Sequence, residues 1–446
     1  MSSRYLELAP SNKTTDSKYS FKKGVAQLTF DIPEGAYLLD PDSIRICGKF
    51  NIFKKSDGTR TDTTDPSTDN LSLSSRIGVW SVMNQLIWRS LKHQTTISHE
   101  KHWNRWLASY IGLTATPDDS LGWLSTTTLT MPNYFVEKGS VVDKTAGNSF
   151  CCHLPCGLLL SGSALNLMPN ALGGLSLTIM LESDAMALQV LPADNSTPSA
   201  PADYLDAMYE LSDVKLVCSV ITPPPDQLSQ LMKQKSGQIN FQSVHSYYDT
   251  ANSTNIQMAM NLGLKEVKSL FINMISSDKL NNIAEDSFAT LSPANDDGSI
   301  ANISKITFLK GGTTFPKLFP YDTNFKSESK SVVADPNVTR EFINSVVSFD
   351  KTRSTQICPS NANRNWTNKA TGLGTDYRFV NDSGVVWGLG VNYENYLGGS
   401  GIDMSKEQFG LAIDCDLTSE NAQSMFLFVN AETSIVYNEN GVQVLN

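Results

Sequence analysis

Residues 221–238 read ITPPPDQLSQLMKQKSGQ and divide the chain into two stretches of similar length. Pro223, Pro224 and Pro225 offer no N–H to a strand ladder and hold the backbone extended, so the strand that enters this segment ends here. Asp226 can then cap a short helix presenting Leu228, Leu231 and Met232. A chain of 446 residues is also too long for one ordinary core, given domains of roughly 100–200 residues. The link therefore reads as a domain boundary at 223–237. It leaves an N-terminal arm over 1–22, a first domain over 23–222 and a second over 238–446.

Outward from the link, the dominant signal on both sides is alternation with period two. Leu175, Leu177, Ile179 and Leu181 face one way in LSLTIML, and Val214, Leu216, Cys218 and Val220 do so in VKLVCSV. Beyond the link the pattern returns in Ile256, Met258, Met260, Leu262 and Leu264, in Ile306 and Phe308, and in Phe409, Leu411, Ile413 and Cys415. Each is the mark of a half-buried strand.

Two helices interrupt the strands, one in each half. In HEKHWNRWLASYIGL, Trp103, Trp106, Leu107, Tyr110 and Ile111 fall at helical spacing, with Ser98 as candidate N-cap. In DPNVTREFINSVVSFD, Asp335 can cap, Pro336 suits the first turn, and Val338, Phe342, Val346 and Phe349 supply a buried face. Two strand-rich halves with one embedded helix apiece predict a duplicated β-sandwich, not an α/β enzyme whose strands alternate with long helices.

Composition agrees with a folded β protein. Hydrophobic residues make up 40% and charged residues 18% of the chain, and its net charge is −10. No long Lys/Arg run occurs; the basic residues gather weakly in the opening segment, at Arg4, Lys13, Lys18, Lys22 and Lys23. Sequence-specific binding of nucleic acid is not expected from such a surface. The opening residues lack an apolar signal core and no long apolar run follows, so the seven cysteines are expected as reduced thiols.

The densest cluster of reactive residues is CCHLPC, 151–156. Zinc needs four converging ligands, usually as two pairs on separate turns; Cys152 and Cys156 have no second pair, because Cys47, Cys218, Cys358 and Cys415 are isolated. Cys151 and Cys152 would also point to opposite faces of a strand. The segment reads as a strand from Phe150 to Leu154 ended by Pro155, its cysteines acting as small hydrophobes. His99 and His102 are three apart and do not form the HExxH pair of a metalloprotease; they read as the polar first turn of the helix. Gly372–Gly374 and Gly388–Gly390 lack the rest of a dinucleotide fingerprint, and Asp414, Asp416 and Glu420 lack the glycine of a calcium loop. No catalytic, cofactor-binding or metal-binding residue is therefore expected.

Several stretches, in order, resemble the double jelly-roll major capsid proteins of DNA viruses, of the polinton-like virus and virophage type. FDIPEGAYLLDPDSIRICGKFNIF (30–53) is similar to the opening strands and proline-marked turn of a first roll, and IGVWSVMNQLIWRSLKHQTTISHEKHWNRWLASY (77–110) to the strand and helix that follow. SFCCHLPCGLLLSGSALNLMPNALGGLSLTIMLESDAMAL (149–188) resembles a strand, a loop, a Gly-Gly turn and a long strand. YELSDVKLVCSVITPPPDQ (209–227) is similar to the last strand of that roll and the linker. ISKITFLKGGTTFPKLFPYDT (303–323) and SMFLFVNAETSIVYNENGVQVLN (424–446) resemble a strand with its Gly-Gly turn and the closing strand pair of a second roll.

The resemblance implies an all-β fold of two tandem eight-stranded jelly rolls with short embedded helices. It implies a non-enzymatic major capsid protein, found in the virion and made in the host cytoplasm, whose homotrimers are pseudo-hexameric and tile an icosahedral shell. Implied partners are neighbouring capsomers, penton and minor capsid proteins, and an internal membrane. The chain stops at the strand-like GVQVLN, which speaks against a cleaved C-terminal tail. Contacts are expected in the polar loops Asp57–Asn70, Asp194–Tyr204, Ser277–Ala301 and Asn361–Asp376. The alternatives are a single-jelly-roll capsid protein with a projection domain, a β-sandwich module for carbohydrate or receptor using Trp366, and a metal enzyme.

Overall fold

The computed structural model describes residues 2–57, 70–74, 77–114, 125–128, 148–191, 204–251, 255–277, 279–283, 287–288, 302–315, 321–322, 389–394, 401–416, 423–438 and 441–446. The first half runs through β1 (Ser2–Leu8), β2 (Lys18–Tyr19), β3 (Gln27–Ile32), β4 (Leu38–Phe53), β5 (Asn70–Leu73), β6 (Met83–Ser90) and β7 (Thr96–Glu100). Helix α1 (Trp103–Thr114) follows, then β8 (Asn148–His153), β9 (Leu165–Asn166), β10 (Leu175–Leu181), β11 (Leu188–Leu191) and β12 (Met208–Thr222). Helix α2 (Pro225–Lys233) links this half to β13 (Ser236–Ala251), β14 (Asn255–Met260), β15 (Val267–Ser276), β16 (Asn302–Lys310) and β17 (Thr313–Thr314). The chain continues with β18 (Tyr321–Asp322), β19 (Leu389–Asn392), β20 (Phe409–Asp416), β21 (Gln423–Asn438) and β22 (Gly441–Leu445).

One topology occurs twice. In the first unit one sheet has the order β1-β12-β4-β8, with β2 and β9 attached, and faces a sheet of order β3-β10-β6-β7. In the second unit β13-β21-β15-β19, with β22 attached, faces β14-β20-β16-β17, with β18 paired to β16. Counting the eight principal strands of either unit in chain order, one sheet takes the first, eighth, third and sixth. The other takes the second, seventh, fourth and fifth. All of these pairings are antiparallel.

Alternation makes the cores. Leu175, Leu177 and Ile179 on β10 are buried, while Ser176 and Thr178 between them are half-buried on the outer face. They meet Leu86 and Trp88 of β6 and Phe30 of β3 within their own sheet, and Ile46 and Phe50 of β4 and Leu216 and Cys218 of β12 from the facing sheet. Each such side chain contributes on the order of 1.5–3 kcal/mol by leaving water. The second core is built likewise from Leu270, Ile272 and Met274 of β15, Leu427 and Val429 of β21, and Ile256, Met258, Leu411 and Ile413 opposite. Turns between strands use glycine where φ is positive: Gly173 and Gly174 before β10, and Gly311 and Gly312 between β16 and β17.

Three sequence expectations are corrected. Residues 1–22, expected as an arm, supply the first strand of the first unit: β1 pairs with β12 from Ser2↔Thr222 to Leu8↔Leu216. The basic residues of that segment are used locally, Lys18 and Lys23 on the buried carboxylate of Glu210 at 3.0 and 3.5 Å and Lys22 on Asp206. Ser98 does not cap α1 and His99-Glu100 is not its first turn; both lie in β7, and the helix starts at Trp103 after His102 turns the backbone at φ 50°. Pro224, not Asp226, is the N-cap of α2, with Pro225 at its first position and Asp226 in the first turn. The predicted helix over 335–350, Trp366, Cys358 and the glycine pairs at 372–374 and 388–390 lie outside the described residues, the last except for Leu389 and Gly390 in β19, as does most of the four loops proposed for contacts.

Candidate assembly surfaces

The pleat of β8 splits the cysteine cluster. Cys151 is exposed on the outer face, Cys152 is buried in the core, and Cys156 is buried beyond the strand end. Burial pushes the thiols of Cys152 and Cys156 well up, so both are neutral packing groups. The end of this stretch is pinned by two indoles: Trp80 Nε1 donates to the His153 carbonyl and Trp103 Nε1 to the Pro155 carbonyl, each at 2.7 Å. Among the described residues no group of three or more His, Cys, Asp or Glu side chains could hold a metal ion. His99 and His102 are kept apart, His99 Nε2 on Gln85 Oε1 at 2.8 Å and His102 packed on Phe426 and Tyr248.

The two halves of the chain pack against each other through one shared apolar cluster. Along β21, Met425, Leu427 and Val429 point into the second core, while Phe426 and Phe428 point the other way and are equally buried. Phe271 and Ile275 of β15 join them, in one apolar cluster with the first unit's Trp103, Trp106 and Leu107. Both faces of this sheet are covered, which is why MFLFV in β21 shows no polar alternation.

Polar groups fix the register of this junction. Arg105, buried on α1, donates to the Ser287 carbonyl at 2.5 Å and lies over the rings of Phe288 and Phe426, 5.1 and 4.9 Å from their centroids. Asn273 Nδ2 donates to Ser109 Oγ, and Ser246 Oγ to the Lys101 carbonyl, both at 2.8 Å. Gly157 approaches so closely that a Cβ there would overlap the Gln242 carbonyl of β13. Its N–H donates to Glu100 Oε1 at 2.9 Å, and burial raises that carboxyl from 4.5 to about 8. Asn170 Nδ2 holds the linker by the carbonyls of Leu231 and Gln234, at 2.9 and 3.0 Å.

Among the described residues, the corresponding sheet of the first unit is covered on its inner face only. Its outer face carries Tyr5, 78% exposed, with Val217, Ser219 and Ile221 on β12, Arg45, Cys47 and Lys49 on β4, and Cys151 and His153 on β8. So the surface that the second unit presents to the first has a counterpart that nothing within the described residues covers.

No family model matches the chain, and no curated protein matches it either. Solved structures do. Faustovirus major capsid protein aligns over 98% of this chain and 90% of its own, with TM-score 0.56 and 8% identity. Mavirus major capsid protein aligns over 99% of this chain and 90% of its own, with TM-score 0.53 and 10% identity. A chain of the Sputnik virophage aligns over 100% of this chain and 88% of its own, with TM-score 0.55 and 10% identity. The fold is a double jelly roll.

The likeness spans both rolls, and at these identities it is a likeness of fold. A double jelly roll sets aside the alternative of one roll with a projection domain, because the second unit repeats the strand order of the first. Sequence reading missed the roll-to-roll junction. The signal was present in MFLFV and SLFINMI, runs too apolar for a one-sided strand. It also missed the meeting of Cys47 with Cys151, since the two stand 104 residues apart.

Proposed function

We propose that this chain is a major capsid protein whose working form is a homotrimer, pseudo-hexameric because every copy contributes two rolls, and that such trimers tile an icosahedral viral shell. The observation that carries this reading is the asymmetry of the two sheets. Within the chain, the outer face of β13-β21-β15-β19 is seated on the α1 side of the first roll; among the described residues nothing covers the outer face of β1-β12-β4-β8. A unit with one contact used internally and its counterpart unused associates head to tail, and such heterologous contacts close into rings or run on as filaments. Three copies place six similar lobes around one axis, a shape that packs on a hexagonal net.

The likeness to capsid proteins of Faustovirus and mavirus supports the same reading. The chain acts as a building block with no enzymatic role, located in the virion. Its partners are further copies, neighbouring capsomers, penton and minor capsid proteins, and an internal membrane where the virus has one. Direct sequence-specific contact with nucleic acid is not part of this role, in keeping with a net charge of −10.

Negative-stain images of the purified chain test the proposal. Threefold particles of hexagonal outline, or shells built from them, are expected; isolated two-lobed particles at every concentration contradict it.

A further inference from the structure

Of the five cysteines whose side chains are described, Cys152, Cys156 and Cys218 are buried in apolar surroundings, and Cys47 and Cys151 are not. The latter two are direct cross-strand partners in the β4–β8 register, and their sulfurs face each other at 2.6 Å on the outer face of the first roll's sheet. Directly opposed residues of an antiparallel pair have Cα atoms roughly 4.5–5.5 Å apart, inside the disulfide range of roughly 4.4–6.8 Å. No backbone movement is needed to join them. The next row of the same face sets Arg45 opposite His153, so a guanidinium lies beside the thiols.

We propose that Cys47 and Cys151 are an oxidisable dithiol, a site of disulfide formation that staples β4 to β8 by exchange with a low-molecular-weight disulfide such as oxidised glutathione. Cys151, the exposed member, attacks first: its thiolate forms a bond to one sulfur of the reagent, the reagent's S–S bond breaks, and one thiol leaves. Cys47, whose thiol is pushed up to about 12 by burial and by its hydrogen bond with Cys151, keeps its proton until this mixed disulfide forms. Its sulfur then displaces the second reagent thiol. The two protein thiols are oxidised, one reagent disulfide is reduced to two thiols, and each lost hydrogen ends on a reagent sulfur.

Formation of the staple does not depend on the capsid reading. Its position does bear on that reading, because the pair lies on the face proposed to receive the next copy. Association should therefore close the site to reagents.

The full chain is incubated with oxidised glutathione at a concentration where light scattering finds single copies, and in parallel where copies associate. Free thiols are alkylated and peptides mapped by mass spectrometry. The expected result in single copies is one cross-link joining the Cys47 and Cys151 peptides, with loss of the mass of two hydrogens; in Cys47→Ser, glutathione remains attached to Cys151. Retention of both free thiols in single copies overturns the proposal. So does a stable glutathione adduct on Cys151 of the unmodified chain, or a cross-link to any other cysteine. In associated copies the cross-link should form several-fold more slowly. An equal rate there, with the cross-link intact, counts against the seating of the next copy on this face and leaves the dithiol standing.

Discussion

The guanidinium of Arg105, on α1 of the first roll, lies 4.9 Å from the ring centroid of Phe426, on β21 of the second. A buried cation is tolerable there because an aromatic face and the Ser287 carbonyl replace its water. The two rolls are thereby joined through a buried cation.

Replacing that cation exposes the dependence. Arg105→Ala leaves the Ser287 carbonyl without this donor and a hole beside Phe426, and is expected to lower stability by about 3 kcal/mol. A fall in the urea midpoint at unchanged slope checks this.

Opposite faces of one strand should fail differently. Leu427 packs in the second core and Phe428 at the junction, and each, cut to Ala, should cost about 3–5 kcal/mol. Phe428→Ala should in addition quicken protease cleavage within 221–238 under native conditions, where Leu427→Ala acts mainly by unfolding the second roll. Native-state proteolysis followed by mass mapping separates the two.

Gly157→Ala should also part the rolls, since the added methyl overlaps the Gln242 carbonyl and backbone cannot yield as a side-chain tip can. A loss of about 2–4 kcal/mol is expected, read as a lower thermal midpoint.

The junction carries two titrating groups with opposite signs. Burial raises the Glu100 carboxyl from 4.5 to about 8, so the folded state favours the protonated acid; the stability it lends is complete below pH 4.5 and is lost as pH climbs to about 8. His102 is lowered from 6.5 to about 4, by burial first and then by the charges of Arg105 and Lys101. Its contribution is complete above pH 6.5 and is lost as pH falls toward 4. Glu100→Gln, which keeps an acceptor for the Gly157 N–H, should raise stability at about pH 9 by on the order of a few kcal/mol and leave the acid limb as it was. Urea midpoints measured across this range test both limbs.

Much of this architecture is legible in the sequence because a sheet with one wet face must alternate. Leu175 to Leu181 and Val214 to Val220 are read directly as β10 and β12. Strand β1 is not, because Ser3, Tyr5 and Glu7 lie on an exposed face and Leu6 and Leu8 only partly against the core, so its pairing is dictated by β12. Ser98 looks like a helix cap until the left-handed turn at His102 is known to separate β7 from α1. Cys47 and Cys151 meet only through a strand register that no local pattern encodes.

The mass of the particle in solution tests head-to-tail association of double rolls most directly. Light scattering or native mass spectrometry of the purified chain should find three masses of 48.9 kDa, and a Ser219→Arg change in the centre of the open face should return folded single copies. A single-chain mass for the unmodified protein across buffers and concentrations would contradict it.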